Sequence, residues 1–250
     1  MSLPADGPVV AVVPLRDGVS GKSRLASVLD PASRTRLVAV LARHVVSTLV
    51  AVRAVDQVVV VTADPGFARS TLAGVGVGIG GVEILAQPAD RPGLNAALDV
   101  ARDHVRGVDV RGVDVRGVDV RGADVRGAGV RGAARGGARL LVAHADLPAL
   151  TVDDVESLLA EDADVVVATD RLGTGTNLLA VPGSAGFRFR FGLGSRAAHE
   201  AEAERLGLRR VTVSRPGTAV DLDTTDDWDE LPGSVRAAVG QDVPRLGATP

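Results

Sequence analysis

The sequence has no cysteine and no tyrosine, one methionine, one tryptophan and four phenylalanines. Without cysteine there are no disulfides, thiolate metal centres or cysteine nucleophiles. Aromatics make up only 2% of the 250 residues, so the core has to be built from valine, leucine and alanine. Lysine is almost absent too: Lys22 is the only one, and arginine supplies every other basic side chain apart from histidine. Neither sign of charge dominates. The formal net charge of −3 leaves no electrostatic footprint for a nucleic-acid partner. No uncharged apolar run reaches 18 residues, so no membrane-spanning helix is expected. The N-terminal MSLPADGP has neither the basic segment nor the apolar stretch of a secretory signal, and a cytoplasmic location is the expectation. No two histidines have metal-ligand spacing. No G-x-S-x-G elbow is present to carry a Ser-His-Asp triad.

What the chain does have is an alternation of β-branched runs and helical periodicity. Strands are expected at 9–13, 56–65, 82–88, 138–148, 163–170, 176–181 and 208–214. Most are continuous apolar runs, as in strands buried on both faces. Helices are expected at 31–52, where Leu37, Leu41, Val45 and Leu49 recur every four residues, and at 93–105, 151–161 and 195–207. Asp30-Pro31 and Thr151 are start signals, and Gly207 is a stop signal. This order implies an α/β fold, a single domain with a mostly parallel sheet and helices on both faces. The domain is expected to span 8–232, with 233–250 as a C-terminal tail. One segment breaks the pattern. From Val105 the sequence repeats VRGVD or a close variant every five residues, to about 137. Six repeats are too few to stack into a solenoid. The period fits no α-helix, in which a glycine every fifth residue is costly. A flexible surface insert without a catalytic role is expected there.

The first strand runs into VVAVVPLRDGVSGKSRLA (9–26), which ends like a phosphate-binding P-loop. The P-loop motif requires its first glycine at position 16, which is Arg16, and Gly18 leaves the loop two residues short. What remains is a glycine loop carrying Lys22 and Arg24, two cations suited to a triphosphate. Ligands in open α/β sheets lie at the carboxyl ends of strands. Asp146 follows LLVA at such an end, and VDLDTTDDW (220–228) adds Asp221 and Asp223. Carboxylates in that setting suit Mg²⁺, which takes few protein ligands and completes its shell with water and phosphate. Between them, DRLGTGTNLLAV (170–181) puts small and hydroxyl residues before a strand. In GFRFRFGLGSRAAH (186–199), Phe187, Phe189 and Phe191 alternate with Arg188 and Arg190 ahead of a second glycine loop that opens a helix. Such a helix start is an anion site on general grounds, while a plain turn capped by Ser195 is the structural alternative. His144 and His199 are possible site residues; His44 and His104 lie in helical stretches and read as structural.

Taken in order, PLRDGVSGKSRLA, VVVVTADP, RPGLNAAL, HADLPAL, DRLGTGTNLLAVP, RFGLGSRAAH and VDLDTTDDW resemble the phosphoenolpyruvate / 2-phospho-L-lactate guanylyltransferases. These enzymes make the guanylylated precursor of the deazaflavin coenzyme F-420. The likeness spans about 8–232 apart from the repeat, and GTGTN with FGxxS…H is its specific part. It implies a Rossmann-like mixed, mostly parallel sheet of the nucleotide-diphospho-sugar-transferase kind. It also implies transfer of GMP from GTP, with Mg²⁺, to phosphoenolpyruvate or 2-phospholactate. Lys22, Arg24 and Asp146 would be catalytic. Pro14, Leu15, Gly21 and Lys22, with Gly93, Leu94, Asn95 and Ala96, would bind the nucleotide. Thr176, Asn177, Gly192 and Ser195 would hold the acceptor, and Asp146 with Asp221 or Asp223 the metal. No nucleic acid or membrane is implied; a downstream transferase taking the product would be a partner. Two readings stand beside this one: a nucleotidyltransferase for another acceptor such as molybdopterin, and a non-enzymatic nucleotide-binding protein whose repeat arm recruits a partner.

Overall fold

A computed structural model describes residues 7–16, 22–76, 81–111 and 137–246. Gly21 and most of the five-residue repeat lie outside the described residues. Among the described residues seven strands form one sheet: β1 (Val9–Leu15), β2 (Gln57–Thr62), β3 (Val82–Ala86), β4 (Arg139–Ala143), β5 (Val165–Thr169), β6 (Thr176–Pro182) and β7 (Arg210–Val213). Their order is β3-β2-β1-β4-β6-β5-β7. Strands β3, β2, β1 and β4 pair in parallel, and β7 is parallel to β5. Only β6 is reversed, antiparallel to both β4 and β5. The expected α/β sheet is therefore present, mostly parallel, with one reversed strand near its centre. That reversal matters for the site, because β6 begins at the edge where its neighbours end.

The pleat divides β1 between two cores. Ala11, Val13 and Leu15 pack on one face against α1 (Pro31–Ala51), α2 (Pro65–Thr71) and α4 (Val152–Leu159). Val10 and Val12 pack on the other against α3 (Leu94–Arg111), α5 (Ser195–Arg205) and the three phenylalanines at 187, 189 and 191. Both faces are thus covered, which is why the strands read as unbroken apolar runs. The helix-start signals act as read. The Asp30 carboxylate accepts from the Ser33 N–H at 2.8 Å, with Pro31 in the first turn. Thr151 and Asp154 form a capping box, as do Thr224 and Asp227 at the start of α6 (Thr225–Glu230).

Two expectations need correction. Helix α3 does not stop at 105 but runs to Arg111, into the first repeat. Leu98, Ala101 and Val105 share its buried face, and the Arg106 Nε donates to the Gly183 carbonyl at 2.7 Å. These contacts offset the roughly 1 kcal/mol that Gly107 costs within a helix. The rest of the repeat lies outside the described residues. At the other end, the segment set apart as a tail contains α7 (Gly233–Asp242), followed by a 3₁₀ turn. Val239, Val243 and Leu246 close a third core with Leu25, Leu29, Leu37 and Trp228. That core braces the loop after β1, from which Lys22 and Arg24 project.

Candidate active site

The carboxyl ends of β1, β2 and β4 open onto a cavity of about 780 Å³. Of the residues anticipated from sequence, Pro14, Leu15, Lys22, Arg24, Gly93, Leu94, Asp146, Asp221 and Asp223 line it. Residues not anticipated there include Ser23, Gln87 and Ala97. Gln87 follows β3 at the same sheet edge, and strand-end position was the signal that would have found it. Its side-chain amide donates to the carbonyls of Arg91 (2.6 Å) and Gly93 (2.9 Å) and so fixes the loop before α3.

At the mouth of this cavity the only lysine meets two carboxylates. The Lys22 ammonium donates to Asp146 Oδ2 at 2.6 Å and to Asp223 Oδ1 at 2.8 Å, and its side chain is only 6% exposed. Arg24 approaches the other oxygen of Asp223 at 3.8 Å from a solvent-exposed position. Lys22 has φ of 56°, the one positive φ among the described non-glycine residues. Such a backbone costs on the order of 1–3 kcal/mol and persists only where the surroundings impose it. Burial works against the charge on Lys22, but Asp146 and Asp223 outweigh it and hold its pKa above the ordinary lysine value. The same exchange acts on Asp146: burial favours the neutral acid, yet Lys22 and then His144 hold it below the usual carboxylate range. Asp221 lies the other way. Burial, then the nearby Asp146, push its carboxyl up. Its Oδ1 receives the Asn177 amide at 3.3 Å. Among the described residues the buried Asp146 Oδ1 has no hydrogen-bond partner.

The four residues anticipated for the acceptor do not line this cavity. They form a second cluster behind His144, at the start of β6 and the N-terminus of α5. The two regions touch. The His144 backbone N–H donates to the Asn177 carbonyl at 3.1 Å, and its ring lies 5.2 Å from that of Phe191. Thr176 and Asn177 are buried at the reversed strand's first positions. Ser195 is buried in the first turn of α5, and its N–H is taken by the Gly192 carbonyl at 3.1 Å. Gly194, not Ser195, caps that helix, with φ of 69°, a conformation any side chain would strain. The phenylalanines alternate as read: all three are buried and Arg188 and Arg190 are exposed, although no strand forms there.

Asn95 and Ala96 are not among the residues lining the cavity. The Asn95 side chain instead pairs with the backbone of Phe191, donating to its carbonyl at 3.1 Å and accepting its N–H at 2.9 Å. It ties the start of α3 to the second glycine loop, a role no local signal distinguishes from ligand binding.

Residues 108–234 match the family described as Guanylyl transferase CofC like. A phosphoenolpyruvate guanylyltransferase of Sphaerobacter thermophilus is 33% identical, over 93% of this chain and 97% of its own. The chain belongs to the CofC-like guanylyltransferases. Other members so named come from Chloroflexus aurantiacus, 34% identical over 85% of this chain and 88% of its own, and from Rhodococcus erythropolis, 33% identical over 97% of both. The fold is shared more widely. A solved structure from Desulfovibrio desulfuricans, assigned to the nucleotide-diphospho-sugar transferases, superimposes with a TM-score of 0.64 at 13% identity, covering 96% of this chain and 97% of that one. Within the CofC-like family, then, this chain pairs a charged cavity with a buried polar cluster across a shared His144–Asn177 contact.

Proposed function

We propose that this protein transfers GMP from GTP to phosphoenolpyruvate, releasing pyrophosphate and forming the guanylylated precursor of a deazaflavin coenzyme. Membership in the CofC-like guanylyltransferases and the names of its relatives support the activity. The observation that carries the site assignment is the Lys22–Asp146–Asp223 ion triad at the mouth of the cavity. In this reading the nucleotide occupies the cavity, with its triphosphate toward Lys22 and Arg24. The acceptor's phosphate and carboxylate lie against Thr176, Asn177, Gly192 and Ser195.

The chemistry asks for charge management more than proton transfer. An oxygen of the acceptor phosphate attacks the α-phosphorus of GTP. The new P–O bond forms as the bond to the β-phosphate's bridging oxygen breaks, and that oxygen leaves with pyrophosphate. The attacking oxygen is already anionic at neutral pH, so no general base is needed. The task is to bring two anions together and stabilise the spreading charge. A magnesium ion suits the donor set: hard carboxylate oxygens at Asp146, Asp221 and Asp223, with the buried Asp146 Oδ1 lacking a partner among the described residues. Such an ion takes few protein ligands and completes its shell with phosphate and water. When bound, such an ion neutralises phosphate charge and polarises the reacting phosphoryl group. Lys22 occupies Asp146 Oδ2 and Asp223 Oδ1, so a cation approaching those two oxygens would compete with its ammonium, and the triphosphate is the anion that would draw that ammonium away.

The test is a product assay with GTP, Mg²⁺ and either phosphoenolpyruvate or 2-phospho-L-lactate, read by pyrophosphate release and product mass. Guanylylated phosphoenolpyruvate with stoichiometric pyrophosphate is expected, with CTP a poor donor. Turnover with phospholactate alone would move the acceptor assignment, and no GTP-dependent turnover with either would overturn the reading.

A further inference from the structure

His199 is the most completely buried ionisable group of the acceptor cluster, and the chemistry above gives it no task. Its ring lies 4.7 Å from that of Phe191 and 5.9 Å from that of Phe187. Both its nitrogens are engaged. Nε2 is 3.0 Å from the Arg190 backbone N–H, and Nδ1 is 3.0 Å from the Thr176 hydroxyl. A backbone N–H can only donate, so Nε2 must carry a lone pair. A neutral imidazole then has its one proton on Nδ1, and that proton points at Thr176 Oγ1. The hydroxyl therefore accepts from the ring, which leaves its own proton to donate elsewhere. Among the described residues the hydroxyl shows no second partner. With the opposite tautomer the hydroxyl would donate to the ring and offer an incoming anion only lone pairs.

We propose that His199 is a positioning residue: held as the Nδ1–H tautomer by the Arg190 amide, it turns the Thr176 hydroxyl into a hydrogen-bond donor for the anionic acceptor. Burial, and the neighbouring His144, push its pKa down to about 4, so the ring is neutral at pH 7. The Phe187 and Phe191 rings pack against the imidazole. The FRFRF alternation thereby gains a purpose: its buried faces clamp the imidazole, and its Arg190 amide selects the tautomer. The inference rests on Thr176 facing the acceptor, as in the function proposed above.

Two measurements test it. The first needs no turnover: long-range ¹H–¹⁵N spectra of histidine-labelled protein, with His199 assigned by comparison with the His199→Asn variant. The expected spectrum has Nδ1 protonated and Nε2 bare; the reverse tautomer overturns the proposal whatever the protein's substrate. The second compares variants. Asparagine carries its amide nitrogen near the position of Nδ1, whereas glutamine places its carbonyl near Nε2 and keeps only the contact to Arg190. His199→Gln and Thr176→Val should each raise the KM for phosphoenolpyruvate at least tenfold, with the KM for GTP within twofold, and combining them should add little. His199→Asn should stay within about threefold of the wild type. Equal loss in the Asn and Gln variants, or parallel rises in both KM values, would make His199 merely a packing residue. Wild-type protein inactive with both acceptors would defeat the functional reading and leave the tautomer measurement to decide this one.

Discussion

The two halves of the site handle charge in opposite ways. The cavity half is ionic: one lysine is shared by two carboxylates at 2.6 and 2.8 Å, one negative charge in excess, and a polyanion arriving there would compete for that lysine. The acceptor half is neutral and already arranged, with Thr176, Asn177, His199 and Ser195 all buried. Its geometry is set by directional hydrogen bonds from Asn95 to Phe191, from Arg190 to His199 and from Asn177 to the Thr218 carbonyl. A group that exchanges partners suits a substrate that arrives with its own cations and departs in two pieces. A fixed, buried cluster of uncharged polar groups would suit a small acceptor whose phosphate and carboxylate must be told apart by geometry. In the function proposed above, the polyanion would meet charges that can move, and the small acceptor dipoles that cannot.

The largest expected effect comes from removing the exchanging group. Lys22→Met should lower kcat/KM about 10³-fold, on the order of 4 kcal/mol of transition-state stabilisation, while thermal unfolding shows an intact fold. The fold should survive because Asp146 and Asp223 keep access to water, with side chains 24% and 39% exposed. Lys22→Arg should recover less than a tenth of the activity, because a planar guanidinium fork does not replace a compact ammonium between two carboxylates. Either variant retaining activity within twofold of wild type would remove Lys22 from the chemistry.

These contrasts were unequally legible in the sequence. The strands were readable because burial on both faces demands unbroken β-branched runs. The caps at Asp30 and Thr151 were readable because each is set by residues three positions apart. The reversal of β6 was not, since an apolar run reads the same in either direction. Lys22, Asp146, Asp221 and Asp223 could each be marked by type and strand-end position. Their union could not, because Lys22 and its two partners lie 124 and 201 residues apart. Asn95 shows the converse: its motif pointed to the nucleotide, yet its amide secures Phe191. His199 was marked only as a possible site residue; its orientation depends on a backbone amide that no pattern encodes.

A middle-sized effect separates the halves by pH. His199 falls from an ordinary 6.5 to about 4 on folding, through burial and then His144, with Glu202 pulling weakly the other way. As pH drops below 6.5 the unfolded chain takes up a proton that the folded ring refuses. Its contribution is therefore full at pH 7 and lost between about 6.5 and 4. Denaturant unfolding should show on the order of 2 kcal/mol lost between pH 7 and 5 from this residue. His44, also lowered by burial, adds in the same direction. His199→Asn should flatten the profile; an unchanged slope would mean the ring is charged or exposed in the folded protein. The ion triad should contribute little to that slope, since Asp146 is held below its ordinary value of 3.8 and Lys22 above 10.5.

The smallest effect bears most directly on the exchange itself. Mn²⁺ binding, followed by the loss of the free-ion paramagnetic resonance signal, can be measured on wild type and Lys22→Met without nucleotide. If Lys22 is the counter-ion of Asp146 and Asp223, the variant binds Mn²⁺ about tenfold more tightly than the wild type, near 1.4 kcal/mol. Equal or weaker binding by the variant would contradict the account, because the carboxylates would then not be held in reserve by the lysine.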